Sequence, residues 1–323
     1  MGVGLESRAP FEGMKRGDPQ LYRESRQRGA VVDLSGRTQL VLTGPDRVRY
    51  LNGQVTSDVR KLSPGQTQMA CVTTAKGKLC ADVCIAARED ALIVDAEPGL
   101  REALLARLER YIVADDVTIE DATDLQALLH YIAPARPPVS ETGQRSAARR
   151  FGRDGWDLRL PRDGFAGARE SLLAGQIILD DILAELLRIE AGIPRWGCEL
   201  DENTLPPEAA LDSTHIDYHK GCYIGQEVIS RLRSVGHVNR RLTGFVAADA
   251  TASLEPGTPL FAAGADTPSI GVLTSTAYSF TFEKPIALGY LKRGSPAEGL
   301  FARPADAIGA PVAVTVRELP FVS

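Results

Sequence analysis

Between residues 220 and 227 the chain reads KGCYIGQE, directly after THIDYH at 214–219. Lys220 and Gly221 precede Cys222, and a second glycine follows at 225. The thiolate is the form of cysteine that attacks carbon or binds metal, and a nearby cation raises its share above the few per cent of a free thiol. Lys220 with Cys222 therefore reads as a catalytic pairing in a flexible loop. The same cysteine also reads as a small buried hydrophobe, and the local sequence leaves both accounts open. His215, His219 and Cys222 fit H-x3-H-x2-C, a spacing that can gather three metal ligands on a helical turn. No fourth ligand accompanies them and Lys220–Gly221 interrupts a helix, so no metal is expected.

A carboxylate stands where an apolar residue belongs. In QIILDDILAELLRIEAG, Leu179, Ile182, Leu183 and Leu186 form one helical stripe, with Asp181, Glu185 and Arg188 opposite. That stripe continues to Glu190, just before Ala191, Gly192 and Pro194 end the helix. An unpaired buried charge is very costly, so Glu190 must meet donors. They belong either to an arginine of the protein or to a ligand in a cavity. Cys80 and Cys84 share a strand face with Asp82 and read as core or cleft wall. Arg231, Arg233, Arg240 and Arg241 cluster just beyond the cysteine loop, as a solvated segment or as partners of an anionic tail.

The elements that must position these groups follow from pattern and punctuation. After a polar leader over 1–30, TQLVLTG predicts a strand and DRVRYLNGQV a helix; QMACVTT, KGKLCADVCIAA and ALIVDA are three further strands. Pro98 opens GLREALLARLERYIV, a helix; VTIED and LQALLHYIA return to strand. Residues 135–150 are proline-rich and unpatterned, hence a long connection, before the strand WDLRLP and a long helix over 176–191. The tail from about Leu242 carries short strands such as SIGVLTS and PIALGYL among Gly, Pro, Thr and Val, the pattern of a small β-barrel. Mixed rather than alternating elements make the class α+β.

With 323 residues the chain has room for two domains, or for one large body with an added lobe. Thirty-seven basic against forty-two acidic residues leave a net charge of −5, so no global basic field recruits nucleic acid. An anionic ligand must be met by a local cluster. The N-terminus lacks the apolar core of a secretion signal, and no stretch is apolar enough to span a bilayer. Five cysteines without framework spacing predict a reduced, cytoplasmic protein.

LRIEAGIPRWGCELDENTLPPEAALD followed by KGCYIGQEVISR resembles the YgfZ family of folate-binding proteins, relatives of the glycine-cleavage T-protein, an aminomethyltransferase. LTGPDRVRYLNGQVTSDV and TTAKGKLCADV extend the resemblance over nearly the whole chain after the leader. It implies a three-part fold: two lobes of ferredoxin-like α+β units (31–135 and 136–241) around a folate cleft, then a barrel over 242–323. It also implies tetrahydrofolate or a one-carbon derivative as ligand, with Glu190 matching the pterin-holding glutamate and Arg231 near the anionic end. Asp82 matches one of the two aspartates of the transferases, while Ala81 stands at the other position. The implied role is a factor that assists iron–sulfur cluster assembly or repair in client proteins, with Cys222 as the reactive group tuned by Lys220. Tyr223, Gly225, Gln226 and Glu227 would fix the loop or touch the folate. The alternative is a tetrahydrofolate-dependent aminomethyl or methyl transferase.

Overall fold

A computed structural model of the chain describes residues 16–138, 143–234, 236–263, 268–303 and 310–322. Its elements run α1 (Pro19–Arg28), β1 (Ala30–Asp33), β2 (Thr38–Thr43), α2 (Arg47–Gln54), β3 (Thr67–Thr73), β4 (Leu79–Ala87), β5 (Leu92–Ala96) and α3 (Arg101–Glu109). Next come β6 (Thr118–Asp121), β7 (Gln126–Ile132), β8 (Gln144–Arg150), β9 (Arg153–Pro161), α4 (Arg162–Leu173), α5 (Asp181–Glu190) and α6 (Gln226–Ser234). The last part holds β10 (Arg240–Ala247), β11 (Pro259–Ala262), β12 (Gly271–Ser279), β13 (Lys284–Lys292), β14 (Leu300–Ala302) and β15 (Val312–Arg317).

Strand alternation explains how two sheets come to face one another. The antiparallel sheet β3-β4-β5-β2-β6 turns Ala81, Val83 and Ile85 of β4 toward Leu51 of α2 and Leu104 and Leu108 of α3. Period-two geometry then puts Asp82 and Cys84 on the opposite face. In the second sheet, β1-β7-β9-β8, Leu158 and Leu160 of β9 pack against Leu172 and Leu173 of α4. Asp157 and Arg159 are left on the other side. The two polar faces meet: Arg150 and Arg159 from the second sheet each donate to Asp95 Oδ2 of the first at 2.7 Å. Six strands close the barrel in the order β10-β13-β12-β11-β14-β15. Helix α5 is its bridge to the sheets, burying Leu183, Leu186, Leu187 and Ile189 in one cluster with Leu242, Ala277, Ile286 and Leu288. The α+β three-part build with a C-terminal barrel is as expected. No helix among the described residues is long and apolar enough to cross a membrane.

Four expectations need correction. A strand, β8, occupies much of 135–150, whose residues 139–142 lie outside the described part. Its buried positions are Ser146, Ala148 and Arg150, so the alternation is real but carries no apolar signature. The helix expected over 176–191 is Asp181–Glu190, because Asp180 caps it by accepting from Leu183 N at 2.8 Å. The preceding residues run along β1, with Val31 N donating to Ile177 O and Leu179 N to Val31 O. The lobe boundary at 135/136 does not separate the sheets, since β7, which carries β1 on its other edge, pairs with β9 beyond it. Within the leader, α1 docks on the body: the Tyr22 hydroxyl donates to Glu190 Oε2 at 2.8 Å.

Candidate functional site

The cysteine loop is clamped on three sides while its thiol is left out. Lys220 is 5% exposed, and its Nζ donates to the carbonyls of Asn52 (2.6 Å), Val55 (2.6 Å) and Ser57 (2.8 Å). These lie at and just past the C-terminal end of α2, where carbonyls have no helical partner and the helix dipole favours a cation. Burial pushes the ammonium down to about 8, while the three acceptors hold the charged form. All three donors are thus in use, which gives Lys220 an anchoring role in the loop. Ile224 N donates to Gly53 O (3.2 Å) and Ile224 O accepts from Thr73 Oγ1 (2.6 Å). Gly225 has φ +89°, and a Cβ there would stand 2.6 Å from both Thr73 Oγ1 and Thr74 O. Only glycine accepts both conditions. Tyr223 is buried against Ile216 and Ile229, and Gln226 begins α6, its N–H donating to Tyr223 O at 3.2 Å. Cys222 alone among the five cysteines is exposed. Burial raises the thiols of Cys71 and Cys80, and that of Cys84 to about 11, so those three are poor nucleophiles.

Behind the loop lies a polar interior. Asp82 and Cys71 are cross-strand partners on β4 and β3. Burial raises the Asp82 carboxyl to about 6 against the pull of Arg37, and its Oδ1 has no partner. The Tyr223 hydroxyl and Gln68 Nε2 are likewise buried and unpartnered. Native proteins rarely leave such groups unsatisfied, and Asp82 Oδ1 and the Tyr223 hydroxyl both lie near Cys71, whereas Gln68 sits on the other face of β3 opposite Ile85. Deeper in, Arg37 donates to Asp95 at 2.7 Å and Arg150 to Asp157 at 2.8 Å. His130 Nδ1 lies 2.9 Å from Asp157 Oδ1. Burial would raise Asp95, but Arg150, Arg37 and Arg159 bring it down to about 2. Cys84, Asp95 and Asp157 bring metal-ligating atoms within 4.8 Å of one another. The guanidinium forks already saturate both carboxylates, which makes this layer a charge-balanced strut.

The remaining expected residues lie elsewhere. Glu190 is 1% exposed; Oε2 accepts from Tyr22 (2.8 Å) and Oε1 from Ser279 Oγ (2.6 Å). Burial raises its carboxyl against those two bonds. Hydroxyls of α1 and β12 donate to it and the Arg26 charge favours its ionised form, so it ties the leader helix to the barrel. Arg188, placed opposite the stripe by periodicity, is buried and paired with Glu185 (2.7 Å) and Glu199 (3.0 Å). Arg231 is exposed on α6. His215 is buried, its Nδ1 2.7 Å from Thr214 Oγ1, whereas His219 is exposed. Trp196 packs against two core clusters. Sequence reasoning missed Tyr22 and Ser279; a lone Tyr in a polar leader and a Ser in a barrel strand carry no local signal.

Two facing antiparallel sheets, an appended six-stranded barrel and a loop clamped against α2 and β3 define a class of three-part α+β proteins. Residues 12–135 match the GCVT N-terminal domain and residues 240–323 the glycine cleavage T-protein C-terminal barrel domain. An aminomethyltransferase of Rubrobacter xylanophilus is 29% identical over 314 residues, covering 90% of this chain and 82% of its own. A Yersinia pestis protein named tRNA-modifying protein YgfZ is 27% identical over 245 residues, 68% of this chain and 72% of its own. Glycine cleavage system aminomethyltransferase T from Bartonella henselae has the same fold, with TM-score 0.81 at 21% identity over 96% of this chain and 91% of that one. The chain belongs to the YgfZ/T-protein superfamily.

Proposed function

We propose that the protein binds a reduced folate in the polar interior beside β3 and β4 and works through Cys222 as an assembly or repair factor for iron–sulfur client proteins. The observation that carries the reading is the contrast within one loop: Lys220, Tyr223, Ile224 and Gly225 are each fixed, and Cys222 between them is exposed. A rigid mount for one accessible sulfur suits contact with the iron or sulfur of another protein's cluster. The folate reading is supported by the unpartnered Asp82 Oδ1 and Tyr223 hydroxyl, an acceptor and a donor of the kind a pterin pairs with. A reduced folate, when bound, supplies a one-carbon carrier. Asp82 and Tyr223 would orient it, and Asp82, near 6, can hold or release a proton at its carboxyl oxygen close to neutral pH.

An aminomethyl or methyl transferase is the second reading, favoured by the 29% identity to an aminomethyltransferase across 90% of this chain. Against it stands Ala81, fully buried in the helix-facing core where the transferases carry an acid. Deleting the gene and assaying several iron–sulfur enzymes beside glycine cleavage separates the two. Loss confined to the iron–sulfur enzymes is expected; loss confined to glycine cleavage would replace the first reading with the second. Calorimetric titration with tetrahydrofolate tests the binding site. Tyr223→Phe should weaken affinity about five- to tenfold, the worth of one neutral hydrogen bond. Glu190→Gln should leave affinity unchanged, because both of its oxygens are engaged within the protein.

A further inference from the structure

Helix α6, residues 236–239 after it and the barrel strands β10 and β13 enclose a groove. Two cavities of about 550 and 900 Å³ meet there, sharing His237, Arg240, Lys292 and Arg293 in their walls. Arg233 and Arg241 add to the lining of the smaller one. Four guanidinium groups and one ammonium face two acids, Asp212 and Glu208. The groove thus carries five minus two, or +3, in a chain whose net charge is −5. Arg240 meets Glu208 at 3.2 Å, while Arg241 stands 3.8 Å from Asp212. The Arg293 side chain has no partner among the described residues, although its backbone N–H is bonded to Asn239 O. Like charges gathered this closely favour an anionic partner.

Three features say which kind of anion fits. Asp212 Oδ1 is buried in the wall and makes no hydrogen bond, so the partner must donate as well as accept. A polypeptide brings a backbone N–H at nearly every residue, whereas a phosphodiester backbone offers no donor and is repelled by both acids. Pro207, Leu232, Val238 and Leu291 stand half-buried in the same wall and offer apolar surface between the charges. Tyr218, the one aromatic in the lining, lies under Arg233 at 4.0 Å and packs against the cluster of Ile216, Tyr223 and Ile229. The groove therefore has no open ring on which a base could stack. Tyr218 and Arg233 also line a third cavity of about 380 Å³ with Asp217 and His219, the residues leading into Lys220.

We propose that this groove docks an acidic segment of a partner protein, with apolar residues interspersed among its carboxylates, and leads it toward the loop that carries Cys222. Arginine forks accept the carboxylates in pairs, and the negative charge of the rest of the chain confines the segment to this surface. The partner is defined by its charge and its apolar spacing. Docking is read without any iron–sulfur activity, so it stands or falls apart from the proposed role of Cys222.

The test is fluorescence anisotropy of the full chain with a labelled peptide of about 12 residues built from Glu-Glu-Leu repeats, at about 50 mM salt. Saturable binding is expected, weakened at least tenfold at about 0.5 M salt. The matching Gln-Gln-Leu peptide should not bind. Arg233→Glu/Arg293→Glu, two exposed side chains of the groove, should bind at least tenfold more weakly, with Arg110→Glu, exposed after α3, as wild type. Melting curves check folding; should the double variant melt early, Arg293→Gln, whose side chain has no partner to lose, must still weaken binding about threefold. Absence of saturable binding at the lowest salt overturns the proposal, as does equal binding by the neutral peptide or by the groove variants. A uridine oligomer of equal length that binds more tightly than the peptide and loses affinity in the same variants also overturns it, assigning the groove to nucleic acid instead.

Discussion

At Lys220 the charge is matched by three carbonyls at the end of α2 rather than by the neighbouring thiol, so removing it exposes those acceptors to burial without a donor. Lys220→Met should lower stability by roughly 3 kcal/mol or more, read as a shift in the denaturant midpoint. A loss below about 1 kcal/mol would mean water replaces the ammonium. Asp82 behaves in the opposite sense. Its folded carboxyl is raised from 3.8 to about 6, so its contribution to stability is fully present below pH 3.8 and lost as pH rises through 6. Asp82→Asn should therefore stabilise the protein at pH 7–8, by at most about 3 kcal/mol at ~1.4 kcal/mol per pKa unit, and the gain should vanish below about pH 4. Chemical melts of both proteins across pH decide it; a gain independent of pH would contradict the assignment.

At the scale of elements, the loop at 220–227 is held by α2 and the β3–β4 turn, which explains why LNGQVTSDV, TTAKGKL and KGCYIGQE stand out together in the sequence. Gly225→Ala meets Thr74 O at 2.6 Å with φ +89°, and should cost about 1–3 kcal/mol and unseat the loop. Limited proteolysis of the variant should cut near 220–227 first; uncleaved, wild-type-like behaviour would show the turn can give way. Much of this level was legible. Strands β2 to β5 announce themselves by alternation and turns, and α2 and α3 by spacing. What was hidden is physical: β8 buries Ser146, Ala148 and Arg150, so its inner face is written in small and charged residues. Helix α4 contains Gly164 and Gly167, which weaken any helical pattern. The environment of Glu190 was hidden too, because its donors come from Tyr22 and Ser279, 168 and 89 residues away in sequence.

Across the whole molecule, two sheets hide a balanced ionic layer between their polar faces and α5 couples them to the barrel. The site is assembled against α2 and the end of β3, and the fold leaves a single exposed cysteine there. Replacing that sulfur by oxygen changes volume little and removes a thiolate that no hydroxyl replaces at neutral pH. The direct measurement is iron–sulfur enzyme activity in a deletion strain carrying Cys222→Ser at wild-type abundance, with melting temperature and folate affinity measured on the purified variant. Unchanged melting and affinity with no recovery of enzyme activity is the predicted result. Full recovery by the serine variant would contradict the account, since Cys222 would then serve no chemistry.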